Sequence, residues 1–269
     1  MNTPTRTRTV SCAALALAIF TLLPSAASPQ AAAKRAVPTP IATPAPAPPL
    51  EPAALDRLKA MSDLLKGAGS FTFKATTDRE TPSVNGQMLD FVMVSRVSVT
   101  RPNMVHVDTA GDRLAASLWY DGKTVTIYSA KSAFYGQAPA PATIDETMQM
   151  LMDRFDTPLP VAGFLFKDPY AKMMEGVKTA FDAGTAVIDG VTCRHFALSE
   201  EDADWQIWIE DGARALPRRL AVTYKKAPGA PRVLVALSDW NLAPTIPAGE
   251  FVFTPPAGAT KVDWKTSKP

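Results

Sequence analysis

The feature that most constrains this chain is a series of short segments in which apolar and polar residues alternate, each closed by turn residues. Phe71, Phe73 and Ala75 alternate with Thr72, Lys74 and Thr76. Leu89, Phe91, Met93, Val97 and Val99 share one side of the next segment, which Arg101-Pro102 ends. Successive side chains of a strand point to opposite faces, so a period of two predicts half-buried β-strands. Further runs cover residues 104–109, 114–120 and 123–128, and Asp121-Gly122 between the last two is a strong hairpin signal. The pattern returns at 177–188, turns at Asp189-Gly190, and continues through 191–198. Trp205, Ile207 and Ile209 follow, then a turn at Asp211-Gly212, then Leu220, Val222 and Tyr224, then Val233, Val235 and Leu237. Phe251 and Phe253 are expected to close the series before Pro255-Pro256. Roughly ten strands with short turns predict a mostly β, α+β fold: one curved antiparallel sheet with helices on its concave side.

Three segments break the alternation. Residues 53–66 carry Leu55, Leu58, Met61, Leu64 and Leu65 at three- and four-residue steps after Pro52, and Gly67 and Gly69 end this helix. Residues 143–156 form a second, with Thr143 as N-cap, Glu146 three residues on, and Met148, Leu151, Met152 and Phe155 on one face. A short third helix is expected over 168–175, with Pro169 in its first turn and Gly176 after its end.

The first 27 residues read as a secretory signal. Arg6 and Arg8 precede an apolar run from Val10 to Leu23, and Ser25 and Ala27 stand where a signal peptidase cuts. This run of fourteen residues, apolar apart from Ser11 and Thr21, falls short of the roughly 20 that a spanning helix needs. Residues 28–52 hold 8 prolines and 7 alanines and read as an extended, disordered spacer, which leaves 53–269 as the folded domain. Removing the signal takes two arginines and no acids, so the mature chain carries 26 basic and 26 acidic residues. A neutral chain has no electrostatic reason to follow nucleic acid or an anionic membrane. Cleavage also removes Cys12, and Cys193 then has no internal partner; its alternating surroundings favour a buried structural thiol over an intermolecular disulfide or a reactive thiol.

The hairpin Trp205-Gln206-Ile207-Trp208-Ile209, a turn, then Leu216-Pro217-Arg218-Arg219-Leu220 resembles the central hairpin of the LolA/LolB-like superfamily of lipoprotein carriers. Phe251-Val252-Phe253-Thr254-Pro255-Pro256-Ala257-Gly258 is similar to the segment that ends many such domains, and Tyr120-Asp121-Gly122-Lys123 fits their early turn. The resemblance covers about residues 55–260 and is strongest to the superfamily's predicted periplasmic proteins of unknown function. It implies an unclosed half-barrel of about eleven strands, capped by helices over an apolar cavity. It also implies a periplasmic, non-catalytic protein that binds an acyl chain, a lipid or a lipoprotein, or else an envelope sensor that engages a protein partner.

Chemistry-bearing clusters are sparse. Cys193 and His195 lie two apart on one candidate strand, which makes a thiol–imidazole pair conceivable but favours two positions of a plain strand. His106 sits between Val105 and Val107, and Glu200, Glu201, Asp202 and Asp204 gather in a turn. No phosphate loop, dinucleotide fingerprint or nucleophile elbow is present. The reading is therefore of a monomer with no catalytic residues, no cofactor, no metal and no nucleic-acid partner. Its ligand is expected in an apolar cavity lined by Phe71, Phe73, Phe91, Met93, Trp119, Met148, Leu151, Met152 and Phe155. Methionine is concentrated in the helical insertion, at Met148, Met150, Met152, Met173 and Met174, and such flexible side chains suit varied apolar shapes.

Overall fold

A computed structural model describes residues 50–155 and 160–263, without the side chains of Phe155, Pro160 and Ala248. The signal and residues 28–49 of the spacer lie outside the described residues. Helix α1 (Pro52–Gly67) is followed by six strands: β1 (Ser70–Pro82), β2 (Met88–Thr100), β3 (Met104–Gly111), β4 (Ala115–Tyr120), β5 (Thr124–Ser129) and β6 (Phe134–Pro139). Next come α2 (Ile144–Phe155), a 3-10 turn (Pro160–Phe164) and α3 (Pro169–Met173). The remaining strands are β7 (Thr179–Ile188), β8 (Val191–Ser199), β9 (Ala203–Glu210), β10 (Pro217–Tyr224), β11 (Arg232–Asn241) and β12 (Thr260–Lys261).

All twelve strands join one open, curved sheet in the order β12-β6-β5-β4-β3-β2-β1-β11-β10-β9-β8-β7. Neighbours are antiparallel except at the edge, where β12 runs parallel to β6, so the sheet is mixed and has one or two more strands than the alternation predicts. The pair Thr260-Lys261 is too short to show a period. Because β6 and β7 lie towards opposite edges, the chain between them must cross a whole face, and it does so as α2, the 3-10 turn and α3. That connection and α1 cover what is here called the inner face.

Local chemistry explains most boundaries. Asp121 Oδ1 accepts from the N–H groups of Lys123 and Thr124, at 3.0 and 2.8 Å. Gly122 sits at φ 89°, where a side chain is strained, and an added Cβ would also have to push the Asn103 amide aside from 2.6 Å. Asp189 and Gly190 both take positive φ, as a two-residue hairpin demands. Thr143 caps α2 as expected: its Oγ1 accepts from the Glu146 N–H at 3.2 Å and donates to the Glu146 carboxylate at 2.8 Å.

The ordered domain starts earlier than proline content suggests. Leu50 bridges to Ala180, and the Glu51 carboxylate accepts from the Asp182 N–H at 2.8 Å, so two residues read as spacer are held at β7. Pro52 then opens α1, where its missing N–H costs nothing. Leu58, Met61 and Leu65 are buried, with Leu55 and Leu64 partly so. Arg101, at the end of β2, donates to the carbonyls of Leu165 and Phe166 at 2.8 and 2.9 Å and pins the loop after the 3-10 turn.

Asp168 caps α3 by accepting from the Ala171 N–H at 3.0 Å, and it binds α1 through Lys66 at 3.2 Å. These contacts, the Ala171 N–H foremost, hold its carboxyl below the usual range. A lowered folded pKa adds stability above the unfolded value, and that stability is lost as pH falls through the folded one. The carboxylate is nearly half exposed, so screening keeps the lysine's share small. Asp168→Ala is expected to cost about 1 kcal/mol at pH 7. Urea unfolding should show the gap to wild type closing as pH falls below about 4.

The C-terminal segment departs from expectation. Phe251 and Phe253 are not in a strand: Phe251 ends a second 3-10 turn (Ala248–Phe251), and the chain from there lies across the outer face until β12. Glu250 accepts from Ser98 at 3.2 Å and meets His106 Nδ1 at 2.9 Å, while Phe253 packs on Trp119 and Tyr135 with ring centroids 4.9 and 5.0 Å apart. The partners of this segment are side chains of the sheet's outer face, which is why its two phenylalanines mimic a strand without pairing as one.

Candidate functional site

Strand register arranges the inner face of β1–β6 in rows. Cross-strand partners share a face, so the pairing lists neighbours directly. The deepest row is Phe71, Val99, Val105, Tyr120, Val125 and Ala138. Above it lie Phe73, Val97, Val107, Leu118, Ile127 and Gly136. The third row is Ala75, Ser95, Thr109, Ala116, Ser129 and Phe134, small in all but its last member. Thr77 and Met93 follow, and then Arg79 and Phe91.

The small third row leaves room. Between it and the covering Met148, Val161, Ala162 and Leu165 is a cavity of about 230 Å³. Its walls are mostly apolar: Val105, Val107, Leu118 and Ile127 from the sheet, and Val235 from β11. Two of the hydroxyls lining it satisfy each other, Ser95 Oγ lying 2.8 Å from Thr109 Oγ1. An apolar void of roughly 150 Å³ stays dry and admits benzene, and this one is larger. On the other flank of α2, a more open groove of about 340 Å³ is lined by Met152, Met173, Trp205, Leu220, Val222 and Tyr224.

Of the nine residues expected at the ligand, Met93 and Met148 line the cavity. Phe91 does not line the cavity, although its cross-strand partner Arg79 does, and Met152 lines the second groove. Phe71, Phe73 and Leu151 are core: all three are buried, and Phe73 stacks on Trp240 at 4.4 Å. Trp119 is on the other side of the sheet, stacked on His106 at 4.9 Å, because Leu118 and Tyr120 take the inward positions of β4. Phe155 ends α2, and its side chain lies outside the described residues.

The register shows what the sequence reading missed. Ser95, Thr109 and Ala116 create the space by being small, and nothing in a single strand marks them. Their signal is joint, since three adjacent strands carry small residues at the same height.

The other candidates are structural in arrangement. Cys193 and His195 do share the outer face of β8, but His195 Nε2 is 3.0 Å from Gln206 Oε1 and its ring stacks on Trp208 at 4.1 Å. Cys193 Sγ donates to the Val191 carbonyl at 3.5 Å, and burial pushes its thiol pKa up, away from a reactive thiolate. Asp204 pairs with Lys225 and Glu201 with Lys226, at 2.8 and 2.9 Å, and both carboxyls are lowered by those hydrogen bonds. Glu200 is raised by burial while accepting from Trp205 Nε1 at 2.7 Å. These acids face separate partners and converge on no common point. Among the described residues, no helix is long and apolar enough to cross a membrane.

Solved structures similar to this chain include three from bacterial envelopes or related families. The lipoprotein LppX of Mycobacterium tuberculosis is 14% identical, with 73% of this chain and 100% of that one covered and a TM-score of 0.42. A LolA superfamily protein of Nitrosomonas europaea is 9% identical over 74% and 97% of the two chains, with a TM-score of 0.38. A putative outer membrane lipoprotein-sorting protein domain from Vibrio parahaemolyticus is 8% identical over 74% and 96%, with a TM-score of 0.34. No curated protein matches the sequence. A family model described as "Predicted periplasmic protein (DUF2092)" matches residues 54–264, from α1 to just beyond β12. The chain therefore belongs to the DUF2092 family, and the protein is periplasmic.

Proposed function

We propose that this domain is a non-catalytic, carrier-like protein that receives the apolar chain of a periplasmic lipid or acylated protein beneath α2. The observation that carries this reading is the cavity of about 230 Å³ between the small third row and Met148. Burial of one methylene contributes about 0.8 kcal/mol, so six would supply on the order of 5 kcal/mol before the cost of association. A single short chain is then held weakly, and a longer one needs Leu165 and its loop to lift. That loop is held by two hydrogen bonds from Arg101, by Asp145 accepting from the Lys167 N–H at 2.8 Å, and by the burial of Leu165 and Phe166, so a longer chain must also displace buried side chains.

Native mass spectrometry and lipid extraction of the mature protein test the proposal. The expected result is a co-purifying lipid, or displacement of a fluorescent apolar probe by added acyl chains. Ala116→Phe places a ring in the cavity, and it should weaken chain binding at least tenfold, about 1.4 kcal/mol, with little change in melting temperature. Unchanged binding in that variant, or no binding by wild type, would remove the reading.

A further inference from the structure

The cavity and the groove on the other flank of α2 share a row of the sheet. Met93, Thr77, Val235, Leu220 and Ile207 are consecutive cross-strand partners from β2 to β9. The first three line the cavity, and Leu220 lines the groove. From Val235 to Leu220 is one strand spacing, about 4.8 Å. Helix α2 divides the two spaces, because Met148 faces the cavity and Met152, one turn further on, faces the groove. In the next row, Val222 and Trp205 belong to the groove, and Val233 beside Val222 is buried at the boundary. The two spaces are therefore adjacent and separate.

The groove offers hydrocarbon, as the cavity does. Leu220, Val222 and Trp205 form its floor, and Met152 and Met173 come from the covering helices. Its charged groups are engaged within the protein. Lys172 Nζ donates to Glu175 at 2.8 Å and to Gln149 Oε1 at 3.2 Å, and Glu200 accepts from Trp205 Nε1 at 2.7 Å. With those groups satisfied, the apolar floor is what remains for a ligand. At about 340 Å³ against about 230 Å³, the groove has room for at least as much chain as the cavity.

We propose that cavity and groove are two chain sites for one ligand, a two-tailed amphiphile whose tails part around α2, one against Met148 and the other against Met152. This rests on the chain-binding reading above and adds a second site and the number of tails to it. Once the first tail is held, the second meets its site at the effective concentration set by the shared head, so two linked tails gain affinity that neither has alone. The second tail adds apolar burial without a second loss of translational freedom.

Methionine methyls report the two spaces separately, since Met93 and Met148 line the cavity and Met152 and Met173 the groove. The mature protein, isotopically labelled at these methyls and followed by NMR, is titrated with dioctanoylphosphatidylcholine and with octanoyl-lysophosphatidylcholine, which share a head and differ in the number of tails. The two-tailed lipid is expected to shift both pairs of methyls with one dissociation constant, at least ten times tighter than the one-tailed lipid, and to saturate at one molecule per protein. The one-tailed lipid is expected to shift the two pairs with separate constants and to saturate at two molecules. Ala203→Phe puts a ring in the groove and should abolish the shifts at Met152 and Met173, bringing the two-tailed lipid to within threefold of the one-tailed. Ala116→Phe should do the same at Met93 and Met148. If Ala203→Phe does not fold, the wild-type shifts and stoichiometries still decide the matter. Shifts confined to Met93 and Met148, with equal affinity for both lipids, overturn the second site and leave the cavity reading intact. No shift at either pair overturns both.

Discussion

Phe71→Ala is expected to destabilise the domain by about 4 kcal/mol, the usual range for emptying a buried phenylalanine site. For a domain of this size that lowers the melting temperature by roughly 12 °C. Phe71 is wholly buried in the deepest row, with Phe73 and Trp240 each 6.3 Å away between ring centroids and the Arg101 guanidinium at 5.5 Å. Its removal leaves a hole that these neighbours are too constrained to fill. Met93→Ala makes the contrast, because that side chain borders open space and should cost less than about 1 kcal/mol. Urea unfolding of both variants, with m-values compared, measures the difference. Equal destabilisation would mean that the floor of the cavity has been drawn in the wrong place.

The second large effect is expected at the β9–β10 hairpin. Glu210 is buried, and Arg218 reaches it from the opposite strand, Nε donating at 2.7 Å, with Arg214 at 3.7 Å on the exposed side. Removing one partner of a buried pair strands the other charge, at a cost of about 3 kcal/mol or more. Arg218→Met should therefore lower the melting temperature by roughly 10 °C. Adding Glu210→Gln removes the stranded charge and should recover much of the loss, which a double-mutant cycle reads directly. If Arg218→Met alone is neutral, the pair is better solvated than its burial indicates. The arginine belongs to the Leu216–Leu220 motif that first suggested a carrier-like superfamily, so one part of that motif serves stability.

The side of each strand was legible wherever only one side is apolar. Leu89, Phe91, Met93, Val97 and Val99 do share the inner face of β2, and the same holds for Val233, Val235 and Leu237 of β11. β4 was not legible in this way. Leu118, Trp119 and Tyr120 are consecutive and all apolar or aromatic, and only the pairing with Val105, His106 and Val107 decides that Trp119 points outward. The reason is the C-terminal segment, whose Phe253 gives the outer face a second small aromatic cluster. A second set of buried groups on that face, Ile188, Cys193, Trp208 and Ala221, has the same effect at the other end of the sheet.

The amino-acid order by itself determined most of the elements: three helices by their caps and three- to four-residue spacing, and ten of the strands by alternation and by the Asp-Gly turns, but not β6 or β12. These are local properties, settled within a few residues by sterics and hydrogen bonding. Tertiary structure alone decided where the empty space lies. A cavity is the absence of side chains at one height across several strands, so it depends on register, on β1 pairing with β11, and on where α2 crosses. Ser95, Thr109 and Ala116 are unremarked small residues along the chain and become a cavity only once three strands set them side by side.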